Sequence, residues 1–232
     1  MSQIAERLQA VRERIALAAA AAGRRPEDIS LLAVSKTFSH IDIAAAHDAG
    51  QAAFGENYVQ EALPKIDALR DRGSLEWHLI GTLQSNKAAL AARNFAWVHS
   101  IDRERIAVRL SAARPVELGP LSVCVQVNIS GEATKGGVPP EEAIALARTV
   151  AAMPQLRLRG LMGIAEPDAG TPAPRRQFRL LKMLFDELRQ LGIDVDTLSM
   201  GMSADLEAAI AEGATLVRIG SAIFGDRHRE AQ

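Results

Sequence analysis

Eight short apolar runs, separated by helix-like segments, constrain this chain more than any other feature. The runs fall at 31–35, 52–54, 77–80, 95–99, 121–127, 156–162, 195–199 and 215–219. Segments with helical spacing lie between them at 40–49, 57–70, 84–93, 102–113, 140–152, 174–191 and 203–212. This alternation predicts parallel strands joined by helical crossovers. Runs that are apolar at every position fit strands buried on both faces. Eight such repeats in 232 residues predict an α/β fold, a single (β/α)8 barrel domain spanning 1–232. An open doubly wound sheet would use the same alternation, but the chain lacks an early G-x-G-x-x-G.

An extra helix is predicted over 1–25, with Ile4, Leu8, Val11, Ile15 and Leu17 on its apolar face and Gly23 as its breaker. After the last run only a tail remains, at 226–232. The N-terminal helix is therefore expected to cover the gap left by a missing eighth crossover helix. The Pro- and Gly-rich stretch "AEPDAGTPAPRR", 165–176, reads as a loop.

Composition narrows the function. A net charge of −1 gives no basic field for nucleic acid. The single cysteine, Cys124, excludes an internal disulfide and reads as a small core residue in a reducing compartment. No segment approaches the length of a membrane span, and the opening residues lack the layout of a signal peptide. The expected location is cytoplasmic. No Cys/His cluster has metal-ligand spacing.

In a (β/α)8 barrel, chemistry gathers where strands end. The first run ends in Ser35–Lys36, and a lysine is rarely buried unless paired. The seventh ends in "SMGMS" and the eighth in "RIGS". Glycines let backbone N–H groups approach an anion, serines add donors, and loops after strands seven and eight form the phosphate site of many barrels. Either loop alone would read as a tight turn, with Ser203 as a helix cap; two at consecutive strand ends favour phosphate. A lysine amine partly desolvated near cationic groups becomes a nucleophile. Lys36 facing a phosphate cradle thus suggests a Schiff base, with either a sugar phosphate or pyridoxal 5′-phosphate (PLP). Spacing leaves both open. Tyr58, His78 and Lys135 are candidate proton donors, Tyr58 reading more simply as a packing or interface residue. His40 and His47 read as solvated.

The segments "AVSKT", "FGENYVQE", "WHLIGTLQSNK", "HSID", "VQVNIS", "TKGG", "RGLMGI" and "LSMGMSADLEAAIAEGATLVRIGSAIFG" together resemble the pyridoxal phosphate homeostasis protein family, from about residue 30 to 226. The resemblance implies a barrel similar to the N-terminal domain of alanine racemase. It implies PLP held as a Schiff base on Lys36, with Asn57 near the cofactor. The phosphate would lie among Ser199, Met200, Gly201, Met202, Ser203, Gly220 and Ser221, with Arg218 facing either the phosphate or the ring. The chain departs from the family pattern at Phe38 and Ala165, which alters the loops after the first and sixth strands.

A racemase needs acid/base groups on both faces of its substrate, and alanine racemase draws on a second domain that has no counterpart here. The expectation is therefore a PLP-binding homeostasis protein with no catalytic residues. It would be a monomer that passes PLP to PLP-dependent apo-enzymes, without nucleic-acid or membrane partners. An amino-acid racemase and a PLP-free aldolase are the alternatives.

Overall fold

Every apolar run becomes a strand, and the eight strands close on themselves. A computed structural model describes residues 2–132, 135–166 and 173–225. The order is α1 (Gln3–Ala21), β1 (Ser30–Val34), α2 (His40–Asp48), β2 (Ala53–Glu56), α3 (Val59–Ala68), β3 (Glu76–Leu79), α4 (Ala88–Asn94), β4 (Trp97–Ile101), α5 (Glu104–Ala113), β5 (Leu121–Val127), α6 (Pro140–Ala151), β6 (Leu156–Gly163), α7 (Ala173–Gln190), β7 (Thr197–Ser199), α8 (Leu206–Ala211), β8 (Leu216–Ile219) and α9 (Ser221–Phe224). All neighbouring strands pair in parallel, and β8 returns to β1 with Ser30 opposite Leu216 and Ala33 opposite Ile219. The expected (β/α)8 barrel is the observed one. The tail at 226–232 and the centre of the 165–176 loop lie outside the described residues.

Local chemistry sets several boundaries. Helix α2 opens on a capping box in which Ser39 and Asp42 satisfy each other's backbone N–H groups. Helix α3 starts at Val59 rather than 57, which leaves Asn57 and Tyr58 in the loop that precedes it. Helix α8 shortens to six residues, and Asp205 rather than Ser203 stands at its N-cap.

The N-terminal helix occupies the gap beside α8, α9 and α2. Arg14 pairs with Glu207 and donates to the Ser203 carbonyl at 2.8 Å. Arg12 donates to the Ala49 and Gly50 carbonyls at the end of α2, and Arg24 to Ile210 and Ala214. Leu8, Val11, Ile15, Ala18 and Ala19 form the buried stripe. Leu17, expected on that face, is 73% exposed. It lies two residues beyond Ile15, about 200° round the helix, and so falls on the opposite side.

Two cores result. One, between strands and helices, is aliphatic and aromatic throughout. The other fills the barrel and contains Trp97, Cys124 and Met162 with a polar chain. His99 on β4 meets Ser199 on β7 at 3.0 Å, a contact between non-adjacent strands that must cross the interior. The chain continues from His99 to His78 at 2.9 Å and from His78 to Glu76 at 2.8 Å. On the other side Arg218 donates to Ser199 Oγ at 2.8 Å. Arginine can only donate and a carboxylate only accept. Burial favours the neutral form of both rings, and in that form the chain can run one way, His78 Nε2 donating to Glu76, His99 Nε2 donating to His78 Nδ1 and His99 Nδ1 accepting from Ser199 Oγ. Trp97 stacks on His78 with centroids 5.1 Å apart, and Arg159 lies 4.5 Å over the same indole. Burial pushes Cys124 up to about 12, so the thiol is packing material. Among the described residues no helix is long and apolar enough to cross a membrane.

Burial lowers the affinity of both histidines for a proton. For His99 repulsion from Arg218, and from any charge on His78, adds to this; for His78 the Glu76 carboxylate opposes it and Arg159 reinforces it. In the unfolded chain each takes a proton near 6.5. Below that value the unfolded state binds more protons than the folded one, so stability falls as pH drops. The slope approaches about 1.4 kcal/mol per pH unit for each histidine. Urea unfolding between about pH 7.5 and 5.5 measures it, and His99→Asn is expected to flatten the dependence.

Candidate functional site

The parallel strands aim their C-terminal ends at one mouth, and there a cavity of about 620 Å³ opens. Lys36 and Phe38 line it from the loop after β1, Asn57 from the loop after β2, Ile80 and Ile164 from those after β3 and β6. Met202, Ser203 and Ala204 close the side after β7; Arg218, Gly220, Ser221 and Gly225 close the side at β8. Lysine, the β7 and β8 loops, Asn57 and Arg218 are thus brought together from opposite ends of the sequence.

The two loops differ in what they present. At β8 the chain turns directly into α9, whose Ser221 begins the helix; first-turn N–H groups have no partner within a helix. At β7 the expected cradle is only half realised. Ser199 and Met200 are fully buried and do not line the cavity. Ser199 points into the barrel toward His99 and Arg218, whereas Met200 packs into the outer core; successive strand side chains face opposite ways. Gly201 also lies beneath the wall. Its φ of +95° makes the turn, and a Cβ there would come within 2.6 Å of the Ala209 methyl. Met202 and Ser203 are the residues of "SMGMS" that reach the cavity.

Arg218 is almost completely buried at the cavity floor. Its guanidinium donates to the Ser199 carbonyl at 2.7 Å and the Gly163 carbonyl at 3.0 Å. Burial pulls it down to about 10, still a cation at neutral pH. Its hydrogen bonds hold it against the floor, away from the loop tips.

Phe38, a departure from the resembled pattern, stacks on Phe224 of α9 with centroids 4.9 Å apart. It ties the lysine loop to the β8 loop across the cavity edge. Asn57 stands on a wall shared with an adjoining cavity of about 320 Å³ that Tyr58, Thr82, Gln126, Asn128 and Lys135 line. Gly81 allows this, because a Cβ there would sit 2.1 Å from the Asn57 carbonyl oxygen.

The candidate proton donors are dispersed. His78 is buried and faces a cavity at the opposite end of the barrel, with Glu76, Trp97 and Arg159; it cannot serve the lysine. Tyr58 is 65% exposed, so it is not a packing residue, and with Lys135 it belongs to the adjoining cavity. His40 is exposed, but His47 is half-buried with Nε2 3.4 Å from Ser74 Oγ. Among the described residues no group of His, Cys, Asp and Glu could hold a metal ion.

Sequence reading passed over Glu56, Lys65 and His99. His99 carried a signal, a titratable side chain inside an otherwise apolar strand. Glu56 and Lys65 carried none, because their pairing at 3.0 Å joins a strand to the next helix.

The donor set fits PLP: an amine for the aldehyde, serine and backbone donors for the phosphate, and a cation on the floor. Comparison with known proteins places the chain in a family. The family model "Alanine racemase, N-terminal domain" matches residues 7–228. The pyridoxal phosphate homeostasis protein of Pseudomonas aeruginosa is 56% identical over 228 residues, 98% of this chain and 97% of that one. PipY of Synechococcus elongatus, solved with PLP bound, superposes with a TM-score of 0.83 at 36% identity, covering 96% of this chain and all of that one. Alanine racemase from Corynebacterium glutamicum shares the fold, with a TM-score of 0.68 at 20% identity over 97% of this chain and 63% of its own. The chain belongs to the pyridoxal phosphate homeostasis protein family, built on the alanine racemase N-terminal barrel.

Proposed function

We propose that this protein holds pyridoxal 5′-phosphate as a Schiff base on Lys36 and serves intracellular PLP homeostasis with little or no turnover. The observation that carries this reading is the placement of Lys36 in one cavity with Ser203, Gly220, Ser221 and the buried Arg218. The PLP-bound relative and the names of the homologues support it.

In this reading Lys36 would supply the amine to which the cofactor's aldehyde is attached. Ser203, Ser221 and the backbone at Met202 and Gly220 hold the phosphate, and Asn57 flanks the cofactor. Ser199, Met200 and Gly201 act from beneath, by carrying Arg218 and shaping the turn. Arg218 would keep a positive charge at the cavity floor. When bound, PLP supplies an electron sink, and the protein decides which bond breaks. Among the described residues that line the cavity, no His, Tyr, Cys, Asp or Glu stands opposite Lys36. A guanidinium is a poor base. Among the described residues, a second acid/base group, which racemisation needs, would come from Tyr58 or Lys135 in the adjoining cavity. The remaining parts of the reading are that the protein is a cytoplasmic monomer, that PLP-dependent apo-enzymes receive its cofactor, and that it has no nucleic-acid or membrane partner.

Added PLP is expected to give the purified protein a visible absorption band that Lys36→Ala abolishes; a band that survives in Lys36→Ala would overturn the assignment. Ser203→Ala/Ser221→Ala is expected to raise the Kd for PLP about tenfold or more, the worth of hydrogen bonds to a charged group. Incubating the loaded protein with single L-amino acids and following optical rotation tests the carrier reading. Turnover within the ordinary enzyme range, about 1–10³ s⁻¹, would favour the racemase instead.

A further inference from the structure

We propose that Glu56, Lys65 and Glu61 form a clamp that sets the backbone on both sides of Lys36 and thereby aims its side chain into the cavity. The proposal rests on the reading of Lys36 as the point of attachment.

Lys36 sits within a tight turn. The Phe38 N–H donates to the Ser35 carbonyl at 3.1 Å, which makes Lys36 and Thr37 the central pair. Thr37 has φ +68°. Positive φ at that position belongs to type II turns, which normally take glycine there. A β-branched residue in this region is a genuine outlier and persists only where its surroundings over-determine it.

The surroundings that do so are specific. The Thr37 N–H donates to Glu61 Oε1 at 2.5 Å. Lys65 donates to that same oxygen at 3.1 Å, to both Glu56 oxygens at 3.0 Å and to the Ser35 carbonyl at 3.1 Å. Ser35 Oγ donates to Glu56 Oε1 at 2.5 Å. One ammonium therefore reaches the carbonyl before Lys36 and, through Glu61, the amide after it. Lys65 is 8% exposed and Glu56 not at all.

Stability alone is a weak reason for such a cluster. Desolvating charges costs enough that apolar packing often does as well, and burial already pushes the Glu56 carboxyl up against the pull of Ser35 and Lys65. The cluster does what apolar residues cannot, which is to hold a carbonyl and an amide at chosen points. Glu61, Lys65 and Glu56 are in this sense positioning residues.

The test separates aim from fold and from phosphate binding. Glu61→Ala removes the acceptor of the Thr37 N–H from the half-exposed side of the cluster. Expected are growth of the PLP band slowed about tenfold, in line with the cost of misplaced reacting groups, and an unchanged Kd for pyridoxine 5′-phosphate, which has no aldehyde. Adding Thr37→Gly is expected to restore the rate, because glycine adopts positive φ without strain. The double variant Lys65→Met/Glu56→Gln removes both charges of the buried pair together, and its melting temperature reports the fold. It is expected to melt as a folded protein and to form the band slowly. Band growth at the unaltered rate in both Glu61→Ala and the double variant would overturn the clamp, as would an equal loss of pyridoxine 5′-phosphate binding. If the unaltered protein gives no Lys36-dependent band, the reading of the site itself falls, and the clamp with it.

Discussion

Closure of eight parallel strands is the constraint from which the rest follows. A closed sheet has no edge to leave unpaired, and parallel order sends every strand's C-terminal end to the same mouth. Residues as distant in sequence as Lys36 and Ser221 thus share a cavity. The N-terminal helix serves the same closure. Arg12 of the helix and Arg24 just beyond it bind carbonyls at the ends of α2 and α8, where an eighth crossover would otherwise pack.

A connected polar chain runs through the interior beneath the cavity, alongside Trp97, Cys124 and Met162. Arg218, Ser199, His99, His78 and Glu76 form one line of donors and acceptors through the barrel. A buried cation at the floor needs such partners, because an unpaired polar group in low dielectric is costly. The Glu56–Lys65 pair, fixed between β2 and α3, lies beside the lysine rather than below it. The site is thus supported by one polar set under its floor and another behind its wall.

Much of this was legible in the residues. The eight runs predicted the eight strands, because continuous burial on both faces leaves a plain apolar signature. Lys36, Ser203, Gly220 and Ser221 stood out because polar and glycine residues at strand ends break that signature. Ser199, Met200 and Gly201 could not be sorted from Ser203 in the same way. Which face each takes depends on where β7 stops, at Ser199, and boundaries shift by a residue or two under tertiary packing. Leu17 was misread for a related reason: one apolar residue out of helical phase looks much like another in phase.

By itself the sequence determined the alternation, the barrel class, the lysine at a strand end and the two glycine–serine loops, since each is written in local pattern. Tertiary structure alone decided which residues face the cavity. It also decided that His78 and His99 join Arg218 through the barrel, and that Lys65 reaches back to the peptide groups flanking Lys36. These last depend on contacts between distant segments, and no periodicity within either segment encodes its partner's position.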